Sequence, residues 1–406
     1  MDHVVVVGGS VGGIRTVSGL RAARCDGAIT LVDPEAAAPY DRPPLSKQVL
    51  AGTWEPEKAS LGDPGSQWNA RVIAERTTSV NVDAHEITLR TGERLGYDAL
   101  VIATGAAPRT LPGAATHDGV HVLRTMTDCL DLRQSLERGG PLVVVGGGFI
   151  GAEVASTARA LGVEVTIAEA LGAPMAHVLG DQVAALLTTL HERNGVTVRC
   201  GAGVRALDGD GRVEAVLLDD GSRLPADTVV VGIGVMPNTG WLEGSGIRLD
   251  NGVVCDEYCA AVDVEDVYAL GDVARWRDRQ AGRHVRLEHW TNATEQANTV
   301  AHNLTHPDDQ RAHTARPYFW SDQHGVKIQL MGYADPASSV TIVRQEGGRE
   351  RIAAIYHDGD ELRAALTINW PRALATVRAA LEAKTPASDA VKQLERSQRA
   401  GCSSSA

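Results

Sequence analysis

The chain has 406 residues, 43% hydrophobic and 22% charged, with 43 glycines, long enough for two or three domains that each bury a core. A formal net charge of −12 excludes the basic excess of nucleic-acid binders, and no apolar run reaches the roughly 20 residues that span a bilayer. The six cysteines (Cys25, Cys129, Cys200, Cys255, Cys259 and Cys402) are scattered without a CxxC pair, so neither a disulfide framework nor a metal site is expected.

The opening stretch, "HVVVVGGSVGGIRT" at 3–16, predicts a strand, a glycine turn and a helix, followed by a second strand, "AITLVD". A strand beginning at His3 leaves no room for a signal peptide, and a cytoplasmic protein is expected. The turn carries Gly8, Ser10 and Gly13 at G-x-G-x-x-G spacing, with Val11 and Gly12 between them. Serine stands at the middle glycine. Such a loop lets backbone N–H groups and a helix N-terminus face a pyrophosphate. Glu35 is the candidate for the ribose hydroxyls, with Asp33 as the alternative.

The same plan returns in "PLVVVGGGFIGAEVA" at 141–155, where Gly146, Gly148 and Gly151 complete the spacing around Ile150. Glu169 ends the next predicted strand, where a carboxylate bonds the 2′-hydroxyl of NAD and repels the 2′-phosphate of NADP. No lysine or arginine occurs over 170–180, so NADH is the expected ligand. Two cradles in one chain imply two dinucleotides, and FAD with NADH makes hydride transfer from nicotinamide to flavin possible. The strand "YDALVIATGAAPR" (97–109), with Ala103, and "DTVVVGIGVMPN" (227–238), with Gly232, each return the chain to its parent domain. "VEDVYALGDVA" (264–274) brings Asp272 to a strand end, where a carboxylate can bond a ribityl hydroxyl beside a helix N-terminus.

With "PYDRPPLSK" (39–47), "RLEHWTNATEQA" (286–297) and "PYFWSDQHGVKIQLMG" (317–332) added, the chain resembles the flavoproteins with two dinucleotide-binding domains of the glutathione-reductase superfamily. Within it, the chain is similar to the oxygenase-coupled, FAD-dependent ferredoxin reductases. The resemblance runs from residue 3 to about 380. It implies an α/β fold with two Rossmann-like domains, for FAD over 1–110 and 245–320 and for NADH over 111–244. An α+β domain over 321–406, ending in a disordered polar tail, completes it. It implies FAD and NADH as cofactors, a [2Fe–2S] ferredoxin as partner, and a cytochrome P450 or Rieske-type oxygenase downstream.

The resemblance also assigns residues. Lys47 lies near flavin N5, paired with Glu153, and Trp320 covers the isoalloxazine; these three are the candidate catalytic residues. Arg42, Val80 and Arg124 match positions that touch FAD, and Asp272 and Trp290 match its ribityl and pyrimidine contacts. Residues 40–60 lack the cysteines of disulfide reductases and of NADH oxidases, which excludes a dithiol relay and a sulfenate. No iron–sulfur ligand set is present, so electrons pass to an outside acceptor. The five arginines of "ARWRDRQAGRHVR" (274–286) are a candidate dock for an acidic ferredoxin. Rubredoxin or a small oxidant as acceptor, or an NADH-sensing flavoprotein of the apoptosis-inducing-factor type, are the alternatives.

Overall fold

A computed structural model describes residues 1–35, 38–314, 317–345 and 350–402, with backbone alone over 397–402. The chain forms two compact units. One comprises Met1–Arg42, Glu55–Ala107 and Val235–Ala315, and the other Pro43–Trp54, Pro108–Gly234 and Arg316–Ala406.

The first unit is organised by a five-stranded parallel sheet in the order Val267–Ala269, Ala99–Ile102, His3–Val7, Ala28–Val32, Arg71–Ile73. Its central strand is a run of valines because it is covered on both faces: Val4, Val5 and Val6 are fully buried. The helix Val11–Ala22 lays Ile14, Val17 and Leu20 into this core, and the helix Trp290–Thr305 adds Ala297, Val300 and Ala301.

The second unit repeats the device. Its parallel sheet runs Thr197–Cys200, Val165–Glu169, Leu142–Val145, Thr228–Val231, Val120–His121, with the helix Phe149–Ala160 after the central strand. A five-stranded antiparallel sheet follows, in the order Tyr318–Gln323, Val326–Gly332, Glu361–Ile368, Arg351–Asp358, Ser339–Gln345. One face buries Val377, Ala380 and Leu381 of the helix Pro371–Glu382. The other meets Leu179, Val183 and Leu187 of the helix Ala176–Arg193. The fold is thus α/β with two Rossmann-like sheets and a C-terminal antiparallel sheet. The last helix runs to Cys402, into the segment expected to be a disordered tail, whose residues 403–406 lie outside those described.

Four histidines are neutralised by this packing. Burial lowers His191, His289, His313 and His324 from 6.5 to about 4, and His324 Nε2 lies 2.9 Å from His191 Nδ1. The unfolded chain binds protons at these groups below about pH 6.5, while the folded chain resists them until about pH 4. Stability therefore rises with pH across this window. The thermal unfolding midpoint is expected to fall steadily from pH 6.5 to pH 4, and His191→Gln to flatten the slope. A midpoint flat across that window would refute it.

Candidate functional site

Both glycine turns are built alike. After the strand His3–Val7, the helix Val11–Ala22 starts at Ser10, whose side chain does not cap it, and no acid stands in its first turn. After Leu142–Val145, the helix Phe149–Ala160 starts at Gly148, again uncapped and without an acid. Each helix thus presents first-turn N–H groups and the positive end of its dipole with no acid of its own first turn beside them. Close packing makes this possible. A Cβ on Gly13 would overlap the Gly8 carbonyl, and one on Gly151 would overlap that of Gly146. The returning strands reach the first glycine of each turn, through the Ala103 carbonyl at Gly8 and the Gly232 carbonyl at Gly146. Gly12 packs on Leu270, and Val11 opens the first helix. Ile150 is 49% exposed, an apolar side chain left uncovered at the mouth of the second cradle.

The carboxylates reveal what sequence spacing had obscured. Glu169 Oε2 accepts from Gly147 N at 2.8 Å, and its Oε1 from Leu171 N at 2.9 Å. In the first cradle the same bond, Gly9 N to a carboxylate at 2.8 Å, goes to Asp33. Glu35 instead accepts from Tyr40 Oη at 2.6 Å and pairs with Arg42 at 3.5 Å. Asp33, the alternative the sequence offered, is therefore the counterpart of Glu169. The register singles it out: Asp33 follows Val32, the partner of Val7, as Glu169 follows Ala168, the partner of Val145.

Lys47 and Glu153 meet within the second unit at 2.6 Å, with side chains 13% and 4% exposed. The segment Pro43–Ser46 is a short 3₁₀ turn, tied down where Thr157 Oγ1 donates to Ser46 O at 2.8 Å and Cys129 Sγ to Leu45 O at 3.1 Å. Burial pushes the Cys129 thiol up to about 12, so this cysteine packs and does not react. Three residues unforeseen from sequence surround the pair. Ser46 and Ser321 donate to Glu153 at 2.5 and 2.7 Å, and Gln323 donates to Ser321 at 3.0 Å. Trp320 lies on the same strand, half-buried, with its ring 6.2 Å from that of Tyr318.

The other candidates are placed as follows. Val80 is buried in the strand Thr77–Asn81. Arg124 directs its backbone N–H to Asp128 beside the helix Met126–Glu137. Asp272 lies on the turn Gly271–Val273, where its carbonyl accepts from Arg286. Trp290 opens the helix Trp290–Thr305 and donates its indole N–H to Asp41 at 2.7 Å. Burial raises the Asp41 carboxyl, and that hydrogen bond partly opposes it. The basic stretch carries less free charge than its sequence suggests. Arg275 pairs with Asp250, Arg279 with Glu257 and Arg286 with Glu288, which neutralises three of the five arginines locally.

Comparison with known proteins identifies the family and the fold. The family model for pyridine nucleotide-disulphide oxidoreductases matches residues 2–297, and that for the reductase C-terminal domain matches 318–395. Putidaredoxin reductase of Pseudomonas putida is 36% identical over 382 residues, 91% of this chain and 89% of its own. The ferredoxin–NAD(+) reductase component of the p-cumate 2,3-dioxygenase system of Pseudomonas putida is 36% identical over 383 residues, 93% of this chain and 92% of its own. The crystal structure of the covalent putidaredoxin reductase–putidaredoxin complex is similar with a TM-score of 0.88 and 34% identity, over 95% of this chain and 94% of that one.

Proposed function

The chain belongs to the pyridine nucleotide-disulphide oxidoreductase family, and from that premise we propose that it passes electrons from NADH through FAD to a [2Fe–2S] ferredoxin serving a cytochrome P450 or Rieske-type oxygenase. The observation that carries this reading is the pair of matched cradles, each with an uncapped helix N-terminus and a carboxylate on the turn. Relatives named as ferredoxin reductases of P450 and dioxygenase systems supply the acceptor. FAD, when bound, would supply a centre that can take up electrons in pairs and release them singly, as a one-electron iron–sulfur acceptor requires.

The residues divide the work. The helix starting after Ser10 takes the pyrophosphate of FAD, with Asp33 or Glu35 on its ribose and Asp272 on its ribityl chain. The helix starting after Gly148 takes that of NADH, and Glu169 prefers a ribose hydroxyl over a 2′-phosphate. Lys47 supplies positive charge where negative charge develops on the reduced flavin, Glu153 fixes that lysine, and Trp320 covers the ring. With no cysteine over 40–60, the acceptor is an external protein. No helix among the described residues is long and apolar enough to cross a membrane, and we assign the protein to the cytoplasm, where NADH is available.

The test is NADH oxidation by the purified yellow protein, with cytochrome c as reporter and with or without a [2Fe–2S] ferredoxin. A large ferredoxin-dependent increase is expected. Rapid flavin bleaching with no increase from several ferredoxins would overturn the acceptor. Slow bleaching into a long-lived coloured complex would favour an NADH sensor.

A further inference from the structure

Glu153 is a carboxylate at a position that would not tolerate one alone. It is 3% exposed, and a buried charge requires donors on its oxygens. Lys47 and Ser46 both donate to Oε2, whereas Oε1 receives the Ser321 hydroxyl. The direction of that hydroxyl follows from the groups on either side. Behind Ser321 stands the Gln323 amide nitrogen, which only donates; in front stands the carboxylate, which accepts. Ser321 must therefore accept from Gln323 and donate to Glu153. Ser46 obeys the same logic, with the Lys47 ammonium 3.2 Å behind it and Glu153 in front.

Strand geometry delivers this arrangement. Side chains alternate along Tyr318–Gln323, so Ser321 and Gln323 share one face, fully buried, while Trp320 takes the other. Lys47 is held in turn. Its ammonium donates to the Pro43 carbonyl at 3.0 Å, to Ser46 and to Glu153, the three donors such a group has.

We propose that Ser321, oriented by Gln323, and Ser46 are positioning residues for flavin reduction by NADH. They hold the Glu153 carboxylate in one orientation and, through it, the Lys47 ammonium. The inference rests on the reading of this ion pair as part of the hydride-transfer site. Ser321→Ala leaves Oε1 of a buried carboxylate without its donor and frees the ion pair to move, and a site displaced by a fraction of an ångström loses rate.

The test is stopped-flow reduction of the purified FAD-loaded protein by NADH, together with the flavin midpoint potential. For Ser321→Ala the limiting reduction rate is expected to fall about tenfold, with the NADH dissociation constant little changed, and the midpoint potential to become more negative. Ser321→Thr keeps a hydroxyl and is expected to recover most of the rate. An unchanged rate and potential in Ser321→Ala, or a threonine variant as slow as the alanine one, overturns the proposal. Should Ser321→Ala lose its flavin or melt early, Ser46→Ala tests the same carboxylate from Oε2 with the same expected and contrary results. A wild-type protein that NADH does not reduce refutes the function reading itself. A reducible wild type matched by both alanine variants refutes only this inference.

Discussion

Replacing Glu153 by alanine is expected to slow NADH-dependent flavin reduction by about 100- to 1,000-fold, the scale on which preorganised electrostatic groups act. The geometry gives the reason. Lys47 is nearly buried and spends its strongest hydrogen bond, 2.6 Å, on this carboxylate. Without Glu153 the ammonium is left as a buried charge with no counter-ion, a loss of about 3–5 kcal/mol when one partner of such a pair is removed. It relieves that cost by turning toward water, and the positive charge leaves the reacting edge. The unfolding midpoint should fall with the rate. Glu153→Gln should lie between, because an amide oxygen can still accept from Lys47 while its NH₂ clashes with donors on the other side. Lys47→Ala should lose rate similarly. In the double alanine variant no charge is stranded, and stability should recover while the rate does not. Stopped-flow absorbance and thermal melts on the four proteins decide it. Full rate in Glu153→Ala would remove the pair from the mechanism.

Gly13→Ala and Gly151→Ala are the same chemical change in the two cradles, and they are expected to fail differently. In each, a Cβ would overlap the carbonyl of the turn's first glycine, and backbone cannot yield as a flexible side chain can. The helix start must then move away from the strand, and the N–H groups that face a pyrophosphate move with it. Gly13→Ala should purify largely colourless, with added FAD bound at least about tenfold more weakly. Gly151→Ala should purify yellow and remain reducible by dithionite, yet its apparent dissociation constant for NADH should rise by about tenfold or more. Flavin content and NADH titration are the measurements. A colourless Gly151→Ala with a yellow Gly13→Ala would reverse the assignment of the two nucleotides.

Much of this protein is local and therefore written in the chain. The valine runs at 4–7 and 143–145 report strands covered on both faces, and the glycines after them report helices brought close to a ligand. These features depend on a few consecutive residues, so spacing alone exposes them. The basic stretch at 274–286 illustrates the limit. Its arginines are visible in sequence, but their partners Asp250 and Glu257 arrive from another part of the chain. Asp33, second to Glu35 in the sequence reading, shows the same limit. Its bond to Gly9 depends on where the second strand ends relative to the turn, a property of sheet register.

The sequence by itself determined that there are two glycine cradles, that an acid, Glu169, ends the strand after the second, and that no cysteine stands over 40–60. Only the tertiary structure decided how Glu153 is held. Ser46, Glu153 and Ser321 are separated by 107 and 168 residues, and although Lys47 and Trp320 mark the neighbourhood of the two serines, nothing local says that both hydroxyls converge on one carboxylate. A buried carboxylate finds its donors wherever folding brings them, and that matching is a property of packing rather than of any local pattern.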